Sequence, residues 1–70
     1  MNKKWEYATL EWLWDSHGLR YNLPNGSEEK STGSYAEVVK TLSKLGAQGW
    51  EVVTCTSEAN WLFWTLKREI

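Results

Sequence analysis

SYAEVVKTLSKLGAQGWEVV, residues 34–53, encodes a helix, its stop and the opening of a strand. Ser34 followed by Glu37 has the spacing of a capping box, in which hydroxyl and carboxylate each bond the other residue's amide. Tyr35, Val38, Val39, Leu42 and Leu45 then recur at helical spacing as one apolar stripe. Glu37, Lys40, Thr41, Ser43 and Lys44 fall on the other side, with Lys44 in the last turn, where the helix dipole favours a cation. Gly46 stands where a left-handed C-cap residue belongs, and Gly49 adds a second flexible point. Trp50 opens WEVVTCT, a β-branched run that reads as a strand. A helix with one apolar stripe that feeds a strand packs most naturally on a sheet.

The flanking segments supply that sheet. KWEYATLEWLW, from Lys4 to Trp14, reads as a long first strand. Its alternation sends Trp5, Tyr7, Thr9, Glu11 and Leu13 to one face and Glu6, Ala8, Leu10, Trp12 and Trp14 to the other. Asp15-Ser16-His17-Gly18 is a turn, and Leu19, Tyr21 and Leu23 alternate with Arg20 and Asn22 as a short second strand. Leu23-Pro24-Asn25-Gly26 is a further turn. Ser27–Gly33, SEEKSTG, has no apolar anchor and is expected to be a mobile loop. Trp50–Thr56 and Trp61–Arg68 form a closing hairpin through Ser57–Asn60. The expected fold is α+β: an antiparallel sheet of three to four strands in the order β-(β)-α-β-β, with one helix on one face, as a single domain over residues 1–70.

The phrase LSKLGAQGWEVV, with the start KKWEYATLE and the end LFWTLKRE, resembles a small bacterial and phage family known as domain of unknown function 4177. The resemblance covers both ends and the centre, about two thirds of the chain, and leaves residues 15–33 unmatched. It implies a short strand–helix–strand–strand fold and brings no established activity with it. Trp12, Trp14, Trp61 and Trp64 exceed what that pattern requires.

Size and composition narrow the function. A 70-residue chain buries only about 60% of its unfolded surface, so its core is marginal without reinforcement. One cysteine closes no internal disulfide, and one histidine with one cysteine makes no four-ligand zinc site. Self-association is the remaining remedy, and six tryptophans, three tyrosines and one phenylalanine suit it. With the helix over one sheet face, the other is left bare and carries several aromatics, as an interface does. The expectation is a homo-oligomer, a dimer or a dimer of dimers, with sheets back to back or strands paired across subunits. A net charge of −1 argues against duplex DNA as partner. No apolar leader or membrane-length segment is visible, so the expected setting is cytoplasmic, in the host if the chain is phage-encoded.

No active site assembles from these residues. His17 reads as a solvated turn residue, since Asp15 and Ser16 do not point at it. Cys55 reads as a small structural residue of a strand. Glu28 and Glu29 lack the fixed separation that paired catalytic carboxylates need. The chain is expected to be a non-enzyme with no catalytic residue, metal or cofactor. The candidate binding residues are Trp12, Trp14, Arg20, Tyr21, Trp61 and Trp64, aromatic rings and a guanidinium able to stack on a planar ligand. Filling an oligomer interface needs less of them, because interfaces are enriched in tryptophan and arginine anyway. The expected function is therefore a homo-oligomeric module that binds a protein partner. The alternative is a nucleotide-type ligand binder or sponge with an aromatic pocket between subunits. Single-stranded nucleic acid, held by a basic edge of Lys3, Lys4, Lys67 and Arg68, is a weaker third.

Overall fold

The computed structural model describes residues 3–70 as five antiparallel strands in one sheet with a single helix on one face, an α+β layer. The elements are β1 (Trp5–Leu13), β2 (Gly18–Asn22), β3 (Glu28–Thr32), α1 (Tyr35–Ala47), β4 (Glu51–Glu58) and β5 (Trp61–Glu69). The strand order is β3-β2-β1-β5-β4, so the two longest strands lie side by side in the middle. The fold class is as expected, with five strands where three to four were read.

The additional strand is β3. Ser27–Gly33, read as a mobile loop, instead holds a strand that pairs with β2 from Asn22↔Glu28 to Gly18↔Thr32. A tight turn brings it back. Gly26 adopts φ +89°, the Leu23 amide donates to Ser27 O at 2.9 Å, and Asn25 Oδ1 accepts from the Ser27 amide at 3.0 Å. All five β3 residues are exposed, so the strand is held by its ladder and by charge, not by burial.

The register sorts the side chains, because directly opposed residues share a face. Trp12 faces Leu19 on β2 and Leu62 on β5, Leu10 faces Tyr21 and Trp64, and Ala8 faces Leu66. These point toward α1, where Val38 and Leu45 meet them, and the core is completed by Trp50. Tyr21, Leu23, Leu42 and Leu62 pack around it, half-buried. Trp12 is the largest fully buried side chain, and its indole N–H donates to the Gly33 carbonyl at 3.1 Å, tying β1 to the entrance of the helix.

Both helix ends differ from the sequence reading. Ser34 is the N-cap residue, but its hydroxyl caps nothing; the Glu37 amide bonds the Ser34 carbonyl at 2.9 Å instead. The Glu37 carboxylate turns outward to Lys40 at 3.4 Å, so the capping box is not made. At the other end Gly46 is an ordinary helical residue and Gly49 is the left-handed one, at φ +95°. The Trp50 amide reaches back to Leu45 O at 3.1 Å and the Gly49 amide to Gly46 O at 3.0 Å. That pair of bonds is a Schellman motif with Gly49 as its left-handed residue, and its customary apolar contact joins Leu45 to Trp50, both buried.

The helix does not cover the whole of its face. A helix is about 10 Å across, whereas five strands span about 20 Å. Thr41 and Lys44 line a shallow cleft with Tyr21, Glu29, Lys30 and Ser31, which places this flank of the helix beside β2 and β3. Every residue of β4 is exposed, Val52 and Val53 included. Cys55, read as a small structural residue, is therefore solvent-exposed on an outer strand. Among the described residues no helix is long and apolar enough to cross a membrane.

Candidate interaction surface on the open sheet face

The face opposite the helix is built by the other set of alternating positions. β1 contributes Trp5, Tyr7, Thr9, Glu11 and Leu13; β5 contributes Lys67, Thr65, Phe63 and Trp61 directly opposite Tyr7, Thr9, Glu11 and Leu13. Arg20 and Asn22 extend the face onto β2, opposite Glu11 and Thr9. Among the described residues no further layer lies over this face. Trp5 is 37% exposed, Tyr7 56% and Leu13 38%, while Trp61 and Phe63 are half-buried beside one another with ring centroids 5.2 Å apart.

Two polar arrangements fix the surface. Glu11 is the hub of the first. Its Oε1 accepts from Arg20 Nε at 3.2 Å and its Oε2 from Arg20 Nη2 at 3.2 Å and from Trp61 Nε1 at 2.9 Å. One carboxylate thus orients a guanidinium on one side and an indole on the other. The guanidinium titrates above its ordinary value because of the hydrogen bond to Glu11, then the Glu11 charge, with a smaller contribution from Glu28. In the second arrangement Lys67 Nζ lies 4.4 Å from the centre of the Trp5 ring, a cation–π contact at the far end of the same two strands.

The six residues singled out from the sequence do not converge. Trp12 and Trp64 are in the core, at 2% and 7% exposure, with no ring face to offer a ligand. Tyr21 is half-buried on the helix side. Trp14 lies beyond the end of β1, edge-on to Trp12 at 4.8 Å and tilted against Tyr35 at 6.4 Å. Only Arg20 and Trp61 meet, through Glu11, on the open face. Trp5, Tyr7 and Phe63 complete that surface. The signal for them was present in the alternation, which puts Trp5 and Tyr7 together with Glu11 and Leu13.

The remaining chemistry-bearing groups are dispersed. His17, the one non-glycine residue at positive φ (55°) among the described residues, is exposed and stacks on Trp12 at 5.4 Å. Cys55 stands opposite Trp64 on β4. No group of three or more His, Cys, Asp or Glu side chains is arranged to hold a metal ion among the described residues. The anticipated basic edge is divided. Lys67 faces the open side, while Arg68 faces the helix side, bonds Glu6 at 2.7 Å and Gln48 O at 3.1 Å, and covers the Trp50 ring at 4.4 Å. The cleft beside Arg68, lined by Glu6, Pro24 and Trp50 among others, holds about 200 Å³, below the roughly 300–1,000 Å³ usual for small-molecule sites. No protein-family model, curated protein or solved structure matches this chain.

Proposed function

We propose that this chain is a non-enzymatic, homo-oligomeric binding module whose subunits pack through their open sheet faces and which acts by binding a protein partner. The observation that carries this reading is the uncovered row of Trp5, Tyr7, Leu13, Trp61 and Phe63 on the two central strands. The dimensions support it. Nine-residue strands about 30 Å long and four to five strands about 20 Å wide present roughly 600 Å², near the ~800 Å² per partner of a standard interface. The charges support it too. Glu11, Glu28, Glu51, Glu58 and Glu69 outnumber Arg20, Lys30 and Lys67 on that side, which disfavours a phosphate backbone and leaves protein as the better occupant. A binding role, not a catalytic one, is favoured by the separation of His17 and Cys55 on different elements. The resemblance to domain of unknown function 4177 supports a bacterial or phage origin.

Native mass spectrometry of the protein purified from its own cells, with Tyr7→Glu and Phe63→Glu variants alongside, tests this. The expected result is an oligomer for the parent chain and folded monomers, or the next smaller species, for both variants. A monomeric parent chain overturns the reading. An oligomer that retains a mass in the nucleotide range shifts the function to ligand sequestration between subunits, with Trp14, Arg20, Tyr21 and Trp61 the members of the predicted set that are not buried.

A further inference from the structure

We infer that β4 is a second, independent assembly surface, and that it pairs antiparallel with β4 of a second copy of this chain. This inference does not rest on the open-face reading, since it uses the edge of the sheet and not its face.

The two edges of the sheet are built differently. β3, at one edge, carries Glu28, Glu29 and Lys30, and Glu28 is engaged by both Arg20 at 3.7 Å and Lys30 at 3.4 Å. Charges of this kind blunt an edge against strand addition. β4, at the other edge, has a glutamate at each end, Glu51 and Glu58, and between them runs Val52-Val53-Thr54-Cys55-Thr56-Ser57 without a charge. A strand edge presents alternate unpaired N–H and C=O groups, and an uncharged β-branched sequence is what adds to one. A bulge at Val53 interrupts the pairing with β5, but Thr54–Glu58 beyond it is regular.

The occupant follows from that regular stretch. Two symmetric antiparallel registers are open to it. One places Cys55 opposite Cys55 of the second copy, with Thr54 facing Thr56. The other places Thr56 opposite Thr56, with Glu58 facing Thr54. In neither does a carboxylate of the stretch face a carboxylate, and both set threonine against threonine or cysteine against a small residue, favourable cross-strand neighbours. A second copy therefore satisfies the edge with no charge clash and with the chain's own β-branched strand as the complement.

Cys55 makes the test direct. Its partners in the register, Trp64 and its row, face the helix, so Cys55 is on the side away from the open face. In the two registers the Cys55 Cα atoms are about 5 Å or about 7–8 Å apart, both within reach of a short thiol-to-thiol linker. In a dimer made only through the open faces, two whole sheets separate the two thiols. Treatment of the full chain with a short bis-maleimide, followed by denaturing electrophoresis and peptide mapping, is expected to give Cys55–Cys55 dimers. These should persist in Tyr7→Glu and fall at least tenfold in Thr56→Lys, which places a charge on the edge. Linked dimers absent from the parent chain, or undiminished in Thr56→Lys, overturn the inference. Dissociation of Tyr7→Glu into linkable dimers meets both readings; an undissociated Tyr7→Glu that still links fails the open-face reading alone, and a dissociated Tyr7→Glu that no longer links fails the β4 inference alone.

Discussion

Replacing Gly46 and Gly49 separately by alanine gives changes of opposite sign, although the residues stand three apart. Gly46 is inside the last turn of α1, and a Cβ built there meets nothing within 4 Å. Glycine in a helix is about 0.5–1 kcal/mol worse than alanine, so Gly46→Ala should stabilise by about that amount. Gly49 holds φ +95°, where a Cβ costs about 1–2 kcal/mol from the backbone alone. Its Cβ would also come within 3.3 Å of Arg68 Cδ. Arg68 has little freedom to retreat, because it is bonded to Glu6 and Gln48 and lies over Trp50. For a domain of this size each kcal/mol moves the melting temperature by about 4–8 °C. Thermal unfolding followed by circular dichroism, at one fixed protein concentration, should show Gly46→Ala about 2–8 °C above the parent chain. Gly49→Ala should lie about 4–16 °C below it. A destabilised Gly46→Ala together with a neutral Gly49→Ala would refute the assignment of Gly49 as the left-handed residue and return that role to Gly46.

Two further substitutions probe what holds the sheet and the helix entrance. Glu11→Ala removes the acceptor shared by Arg20 and the Trp61 indole, and should destabilise by about 1–2 kcal/mol; Arg20→Ala, which removes one half-exposed donor and leaves the Trp61 bond in place, should cost less, so urea unfolding that ranks them the other way contradicts the hub role of Glu11. Arg20 titrates above its ordinary value when folded, so its contribution is complete below the unfolded value and is lost only as pH rises through the folded one; from about pH 6 to 9 the Arg20 charge itself should add no slope to the Arg20→Ala difference. Gly33→Ala would bring a methyl within 2.8 Å of Glu37 Cβ, an atom fixed by the helix backbone, beside a carbonyl that holds Trp12 Nε1; a loss of about 1–3 kcal/mol is expected, and an unchanged unfolding midpoint would rule out this close approach.

What the sequence made legible, and what it hid, divides along one line. Where apolar residues recur, their period reports the structure. The Val38, Leu42 and Leu45 row of α1, the alternation of β1 and β5, and the bare second face all come from that signal, whereas Tyr35 and Val39, read in the same helical stripe, stand exposed. β3 has no apolar residue, so periodicity is silent on it. Its place comes from the turn at Asn25-Gly26 and from charges that read as solvation in sequence but face β2 in the sheet. The candidate site is hidden in the sequence for a related reason. Trp12 and Trp64 stand on the same strands as Trp5 and Trp61, and richness in tryptophan does not distinguish rings that fill a core from rings that line a surface. Parity does, since Trp12 and Trp64 share the face of Ala8 and Leu66, and Trp5 and Trp61 share the face of Glu11 and Thr9. The helix stop follows the same logic. Two glycines compete for the left-handed position, and each choice implies a different apolar pair across the stop. With Gly46 the pair is Leu42 with Ala47, the latter too small to close the contact; with Gly49 it is Leu45 with Trp50, both buried. The side chain that follows the glycine decides which of the two turns, because only Trp50 has enough apolar surface to hold the chain back against the helix it has just left.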